Sequence, residues 1–226
     1  ERLVVLGQLT GGLAHQIRTP LTAITNAAAV LRRKLGASID PETQTALSIL
    51  NEEVWEANRI ITDLIDFARV RPPSSCDVAV KDLVDLALAA VPTVERIAVV
   101  KDIPGDLRVW IDERQMRDAI ANVIRNGFEA MGDAGELTLT ARRDGPQALL
   151  SIADTGPGLG EDALNHLFEP LLTTKALGLG LGLPTAKSLI ENQGGSIRYV
   201  SREGGGACFE IRVPIEDPTD PSPSRP

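Results

Sequence analysis

Four short stretches of this sequence hold residue types whose spacing suits chemistry. The first is His15-Gln16-Ile17-Arg18-Thr19-Pro20, with one of only two histidines in the chain. Apolar residues at 6, 9, 13, 17, 21, 24, 28, 31 and 35 recur at steps of three and four, predicting an amphipathic helix. His15 lies beside that apolar seam, where solvent can reach an imidazole able to act as nucleophile or base. The same pattern also describes an ordinary exposed histidine on a helical hairpin. Pro20 cannot donate to the carbonyl of Gln16, so a kink is expected one turn beyond the histidine. A proline inside a helix costs about 3 kcal/mol, which packing or function has to offset.

The other three stretches lie in the second half of the chain. Asn122, Asn126 and Glu129 fall at i, i+4 and i+7, so a helix would line their oxygens along one side. Such oxygens suit magnesium, and they equally suit a solvated polar stripe. Asp154-Thr155-Gly156-Pro157-Gly158 follows a strand pattern directly. A carboxylate there, beside glycines that admit a ligand to the backbone, suits an exocyclic amine such as that of adenine, or a simple Asp-x-Gly turn. Lys175 precedes Gly178-Leu179-Gly180-Leu181-Gly182-Leu183, which leads into a helical pattern. Alternate glycines and a helix N-terminus together make a phosphate cradle, with Lys175 as a point charge, or else a tightly packed turn. Neither a Walker A loop nor a dinucleotide fingerprint is present, because the glycine spacing and the Gly-Lys-Ser/Thr ending are missing.

These stretches need elements to position them. Residues 1–35 are predicted as one long helix stopping at Gly36, a C-terminal cap. Asp40-Pro41-Glu42 starts a second, with Asp40 as N-cap. Leu47, Leu50, Val54, Ala57, Ile61, Leu64 and Ala68 form its coiled-coil-like seam. A lone hairpin buries little surface, so pairing of two chains into a four-helix bundle is the natural completion. Pro72-Pro73-Ser74-Ser75 ends the second helix by Arg71 and marks a linker.

Beyond the linker, Val78–Val91 reads as a strand running into a helix, and 97–103 and 107–111 as strands. Residues 113–131 read as a helix with Met116, Ile120, Val123, Ile124 and Met131 on its apolar side. Strands 136–143 and 148–153 flank Asp144-Gly145-Pro146, helices follow at 161–167 and 183–193, and a hairpin 196–201/207–214 closes the domain. This order predicts an α+β layer, not an alternating parallel sheet. Residues 216–226, with four prolines and no apolar side chain, are expected to be disordered.

Composition narrows the functions. The 226 residues are 43% hydrophobic and 24% charged, an ordinary globular balance with room for two cores. A net charge of −8 argues against nucleic acid as partner. Cys76 and Cys208 have no metal-ligand spacing; reduced thiols in a cytoplasmic protein are expected, with a disulfide as the alternative. No apolar run is long enough to span a membrane, and no membrane contact is expected. The chain opens inside a helical pattern without a cap, which reads as a piece of a longer protein and leaves room for a sensor or membrane anchor upstream.

Taken in order, His-x-x-x-x-Pro on a hairpin, Asn-x-x-x-Asn on a helix, Asp-x-Gly-x-Gly after a strand and Gly-x-Gly-x-Gly before a helix closely resemble sensor histidine kinases. The resemblance spans residues 1–214. It implies an α-helical hairpin forming a dimeric four-helix bundle, followed by an α+β Bergerat-type ATP-binding sandwich. Residues 1–71 would be the dimerisation and histidine-phosphotransfer domain, 72–75 the linker, 76–215 the ATP-binding domain and 216–226 the tail. Phe168-Glu169-Pro170-Leu171-Leu172-Thr173-Thr174-Lys175 is similar to the short ATP lid of the nitrogen-regulator subfamily.

The resemblance also implies roles. His15 would be the phosphoacceptor, Gln16 would stand beside it, and Thr19 would help position water for dephosphorylating a partner receiver domain. Asn126 would hold Mg²⁺ with Asn122 beside it, and Glu129 would extend that polar row. Asp154 would meet the adenine amine in a pocket shaped by Gly156 and Gly158, and Phe168 would begin the lid. Thr174, Lys175, Gly178, Leu179, Gly180, Leu181 and Gly182 would enclose the ATP phosphates. The implied activity is autophosphorylation on His15 and transfer to an aspartate of a response regulator, by a homodimer.

Two positions depart from the family. Gln16 stands where Glu or Asp is usual, and Gln193-Gly194-Gly195 where His-Gly-Gly is usual. An amide cannot take up a proton as a carboxylate can, and losing a general base costs about 10²–10⁴ in rate. A nucleotide-binding pseudokinase or phosphatase-biased scaffold is therefore the alternative reading. An ATPase of the chaperone or mismatch-repair kind is disfavoured by the histidine-bearing hairpin. His166 is expected on a short exposed helix, Trp55 and Trp110 as packing residues, and Arg18 either solvated or facing the partner or the phosphate.

Overall fold

The computed structural model describes residues 2–36, 39–68, 71–172, 179–202 and 205–216; side chains at 2–16, 56, 59, 63, 66–68, 161 and 162 lie outside that description. Its backbone divides into two compact units, one from residues 1–69 with a short piece at 175–179, the other from 70–174 and 180–226.

The first unit is a hairpin of helices α1 (Arg2–Leu35) and α2 (Pro41–Ala68). α1 continues through Pro20, and Arg32, Arg33 and Lys34 in its last turn face the negative end of the helix dipole. Gly36 follows at φ +52°, a left-handed geometry that suits a helix end. α2 starts on Asp40, whose Oδ1 accepts from the Thr43 N–H at 2.9 Å and whose Oδ2 accepts from the Thr43 hydroxyl at 2.6 Å. Ala28, Leu47, Val54 and Ile61 are buried between the helices, while Ile17, Ile24, Leu31 and Leu50 of the predicted seams remain exposed. Trp55 corrects an expectation: at 57% exposure it packs little within its own chain.

The second unit is built from β1 (Cys76–Ala79), α3 (Val80–Ala89), β2 (Ile97–Asp102), β3 (Arg108–Ile111), α4 (Glu113–Met131), β4 (Gly135–Asp144), β5 (Gln147–Asp154), α5 (Glu161–Asn165), α6 (Gly182–Glu191), β6 (Ser196–Ser201) and β7 (Ala207–Pro214). Five strands form one sheet in the order β2-β4-β5-β7-β6, antiparallel except for the β2–β4 pair. β1 and β3 make a separate antiparallel ribbon, which the sequence pattern does not foretell. Along β7, Ala207, Phe209, Ile211 and Val213 are buried in strict alternation, so one sheet face carries the core. α4 contributes Met116, Ile120, Val123 and Ile124 to that core, as its apolar side predicts, and α6 adds Ala186 and Ile190. This is a helix layer on a mixed sheet, the α+β sandwich expected.

Cys76 and Cys208 are free thiols, so the disulfide alternative falls. Burial, reinforced by the nearby Glu210 charge, pushes the Cys208 thiol up and keeps it protonated. Among the described residues no helix is long and apolar enough to cross a membrane. The predicted tail falls outside them from residue 217.

The hydrogen bonds from Thr43, its hydroxyl first and its backbone second, hold the Asp40 carboxyl below the usual carboxylate range. A carboxylate with a depressed folded pKa stabilises fully above its unfolded pKa, and that contribution is lost as pH falls through the folded value. Asp40→Ala should therefore lower the thermal midpoint of the hairpin at neutral pH. Circular-dichroism melts of the two proteins should converge in acid.

Candidate functional site

Asp154 ends β5 with its side chain only 3% exposed. A buried carboxylate costs several kcal/mol unless it is paired or hydrogen-bonded. Here Oδ1 accepts from the N–H groups of Gly156 at 2.9 Å and Ala207 at 3.2 Å, and neither bond uses Oδ2. Oδ2 faces Gly127 of α4, where a Cβ would stand 3.6 Å from it. The Asp154 carbonyl accepts from Arg202 Nη1 at 3.0 Å. Gly206, at φ +87°, passes so close that a Cβ on it would collide with that same carbonyl oxygen. Arg202, Gly206 and Ala207 thus lock the loop after β5, although their stretch reads in sequence only as a hairpin turn. The Gly204-Gly205-Gly206 run was the available signal.

Gly156 and Gly158 are half-buried in this loop, and Gly158 lies against the carbonyl of Gly206. Thr155, just before them, accepts from the Glu136 N–H at 2.9 Å, tying the loop to β4. The helix α4 begins on its N-cap Asp112, which accepts from Gln115 N–H. It brings Asn122 and Asn126 to half-buried positions and Glu129 to an exposed one, all on the side away from the core. Asn122 Oδ1 accepts from Arg125 Nη1 at 3.1 Å.

Phe168 is half-buried against the core, and Lys187 of α6 places its ammonium 5.2 Å from the ring centroid. This cation–π contact fastens the start of the predicted lid, and Lys187 was not singled out from sequence. Leu171 follows at φ +66° with 64% exposure, an uncommon conformation for a branched residue. Thr174, Lys175 and Gly178 lie outside the described residues. Leu179 and Gly180 are half-buried, and Gly180 at φ +65° lets the backbone of Leu172 approach closer than any Cβ would permit. Leu181 is 2% exposed, so its side chain is packed away from solvent. Gly182 opens α6, whose first turn has no side-chain cap. Uncapped N–H groups at the positive end of a ten-residue helix suit a phosphate.

In the first unit, His15 and Gln16 occupy helical backbone positions of α1, and their side chains lie outside the described set. Thr19, one turn further on, is exposed. Arg18, exposed, reaches across the hairpin to the Thr62 hydroxyl at 3.2 Å, an intrachain contact that neither of its readings foresees. His166 is exposed at the end of α5, its Nδ1 3.0 Å from Glu169 Oε1. Among the described residues no three His, Cys, Asp or Glu side chains gather as a metal site. The half-buried Asn122 and Asn126 carbonyls fit a magnesium ion that shares its coordination with phosphates and water, as that ion usually does.

Comparison with known proteins agrees in domain order. Residues 5–73 match the His Kinase A (phospho-acceptor) domain, and 111–217 match the histidine kinase-, DNA gyrase B- and HSP90-like ATPase. The chain is 32% identical over 220 residues to the signal transduction histidine-protein kinase AtoS of Escherichia coli, covering 95% of this chain and 36% of that protein. It is 32% identical over 218 residues to the sensor protein kinase PilS of Pseudomonas aeruginosa, covering 93% and 41%. The chain therefore spans less than half the length of these relatives. Among solved structures, full-length ShkA in complex with AMPPNP aligns with a TM-score of 0.74 at 26% identity, over 92% of this chain and 46% of that one. The histidine kinase ThkA in complex with response regulator protein TrrA aligns with a TM-score of 0.64 at 25% identity, over 96% and 64%. With a phospho-acceptor hairpin, an ATPase sandwich and these relatives in agreement, the chain belongs to the sensor histidine kinases and is their catalytic core.

Proposed function

We propose that this chain binds ATP with Mg²⁺, phosphorylates His15 and passes the phosphoryl group to an aspartate of a response-regulator receiver domain. The observation that carries the reading is Asp154, a buried carboxylate whose Oδ1 is committed to two loop N–H groups. Oδ2 would accept the adenine amine, and Gly156 and Gly158 would wall the base. Asn126, with Asn122 beside it and Glu129 beyond, would hold Mg²⁺, which when bound neutralises phosphate charge. The open first turn of α6 and the backbone of Leu179, Gly180, Leu181 and Gly182 would donate to the phosphates. Thr174, Lys175 and Gly178 would complete that enclosure, and Phe168 would anchor the lid.

An imidazole has an ordinary pKa of about 6.5, so at neutral pH the nucleophile already exists. Attack on phosphorus makes the ring cationic, and the proton on its other nitrogen has to leave. Otherwise phosphoryl transfer depends on alignment and charge neutralisation. Gln16 offers an amide oxygen where the family usually offers a carboxylate, which favours a slow kinase and gives the pseudokinase or phosphatase-biased scaffold its support. Thr19 would position water for hydrolysing the phosphoryl group from the receiver aspartate, releasing phosphate. The exposed Ile17, Ile24 and Leu31, at seven-residue steps along α1, support a homodimer closing a four-helix bundle. The solved complex of ThkA with a response regulator protein supports the receiver domain as acceptor. Domain limits of 1–71, 72–75 and 76–215 and a cytoplasmic location for this part of the protein belong to the same reading.

Incubation with γ-labelled ATP tests it. An acid-labile, base-stable label should appear on the wild-type chain and vanish in His15→Ala; absence of label with intact ATP binding would instead favour the scaffold. Gln16→Glu should raise the initial labelling rate at saturating ATP by about tenfold or more, because a carboxylate base is restored. An unchanged rate would show that Gln16 does not limit the reaction.

A further inference from the structure

The residues just after α2 are held by polar side chains of the second unit, far away in sequence. The Arg71 carbonyl accepts from Gln115 Nε2 at 3.2 Å and from Asn192 Nδ2 at 3.0 Å. The Ser74 N–H donates to Asp112 Oδ2 at 2.9 Å. Between these two grips stand Pro72 and Pro73, whose rings fix φ and carry no N–H. Asp112 is itself fixed: its Oδ1 caps α4 through the Gln115 N–H at 2.9 Å, and its own N–H donates to Gln193 Oε1 at 2.6 Å. Gln193 is 7% exposed and donates through Nε2 to the Leu189 carbonyl at 3.1 Å. An N–H on one side and a carbonyl on the other dictate which way that amide points. The family's usual histidine could match both bonds only while neutral, because a protonated ring has no acceptor.

We propose that Asp112, Gln115 and Asn192, supported by Gln193, form a clasp that makes the linker part of the ATP-binding domain and shortens the tether to the phospho-acceptor hairpin. They are positioning residues, and the consequence for phosphotransfer rests on the kinase reading above. From Ala68, the last residue of α2, Arg71 is three residues away, whereas Cys76 at the start of β1 is eight. Effective concentration across a flexible tether falls as about the −3/2 power of its length, so releasing the clasp should lower the encounter rate about fourfold. Nucleotide affinity should not change, because no clasp residue belongs to the proposed nucleotide site.

Two measurements on the whole chain decide the matter. Hydrogen exchange at the Ser74 amide reads the clasp without any reference to catalysis. It should be at least tenfold slower than in an unstructured peptide of the same sequence; exchange at the peptide's rate would overturn the proposal. Labelling with γ-labelled ATP then compares Ser74→Pro, which deletes the donor, with Ser74→Ala, which keeps it, and with Gln115→Ala/Asn192→Ala, which frees Arg71. The first and third should label about fourfold more slowly at saturating ATP with unchanged ATP affinity, and Ser74→Ala should match wild type. Wild-type rates throughout, or a loss matched by weaker ATP binding, would overturn the positioning role. A wild-type chain that takes no label would refute the kinase reading, and the clasp would stand or fall on the exchange result alone.

Discussion

The second unit is arranged around a single carboxylate oxygen. Asp154 Oδ1 receives two backbone N–H groups from segments more than fifty residues apart, Gly156 and Ala207. Hydrogen bonds to an ionised acceptor are short and about twice as strong as neutral ones, and they make a buried charge tolerable. Oδ1 satisfies the loops, and neither of these bonds uses Oδ2. The approach of Gly206 to the Asp154 carbonyl, and the Arg202 guanidinium on the same oxygen, keep β5 and the β6–β7 turn in register. A loop held in this way is fixed without help from a ligand.

Much of this was legible because it is periodic. The apolar side of α4, the alternation in β7 and the Asp40 cap each follow from local spacing, and each appears where the pattern places it. Asp154, Gly156 and the glycines before α6 were found as motifs because their backbone needs leave a compositional trace. Arg202, Lys187 and the clasp residues leave no such trace. A polar side chain that bonds a carbonyl 48 or 121 positions away has nothing beside it in sequence to announce the partner. The β1–β3 ribbon was missed for the same reason, since short strands do not encode which edge they join. Trp55 departs from expectation because aromatic residues at helical spacing usually face a core, whereas here the single hairpin buries only a narrow seam.

The two units carry different kinds of constraint. The hairpin keeps a row of exposed apolar residues, and its polar cross-link, Arg18 to Thr62, lies one turn from His15 along α1. The sandwich encloses a core drawn from its sheet and helices, and it sets polar bonds where the nucleotide is proposed to sit and where the linker arrives. Polar bonds thus gather around Asp154 and Asp112, while the segment proposed as a lid carries Leu171 at positive φ and, beside it, the exposed Leu172. Loops that must open for a ligand are expected to come from such weakly packed stretches.

The central claim is that Asp154 reads an adenine amine through the oxygen its loop leaves over. Titration calorimetry with ATP and GTP, on wild type and on Asp154→Asn, tests it most directly. The asparagine retains an acceptor for both loop N–H groups but presents an NH₂ to the base. A hydrogen bond to a charged group contributes about 1.5–3 kcal/mol, so ATP affinity should fall at least tenfold in the variant, and the wild-type preference for ATP over GTP should disappear. A variant that folds and binds ATP as tightly as wild type would contradict the account.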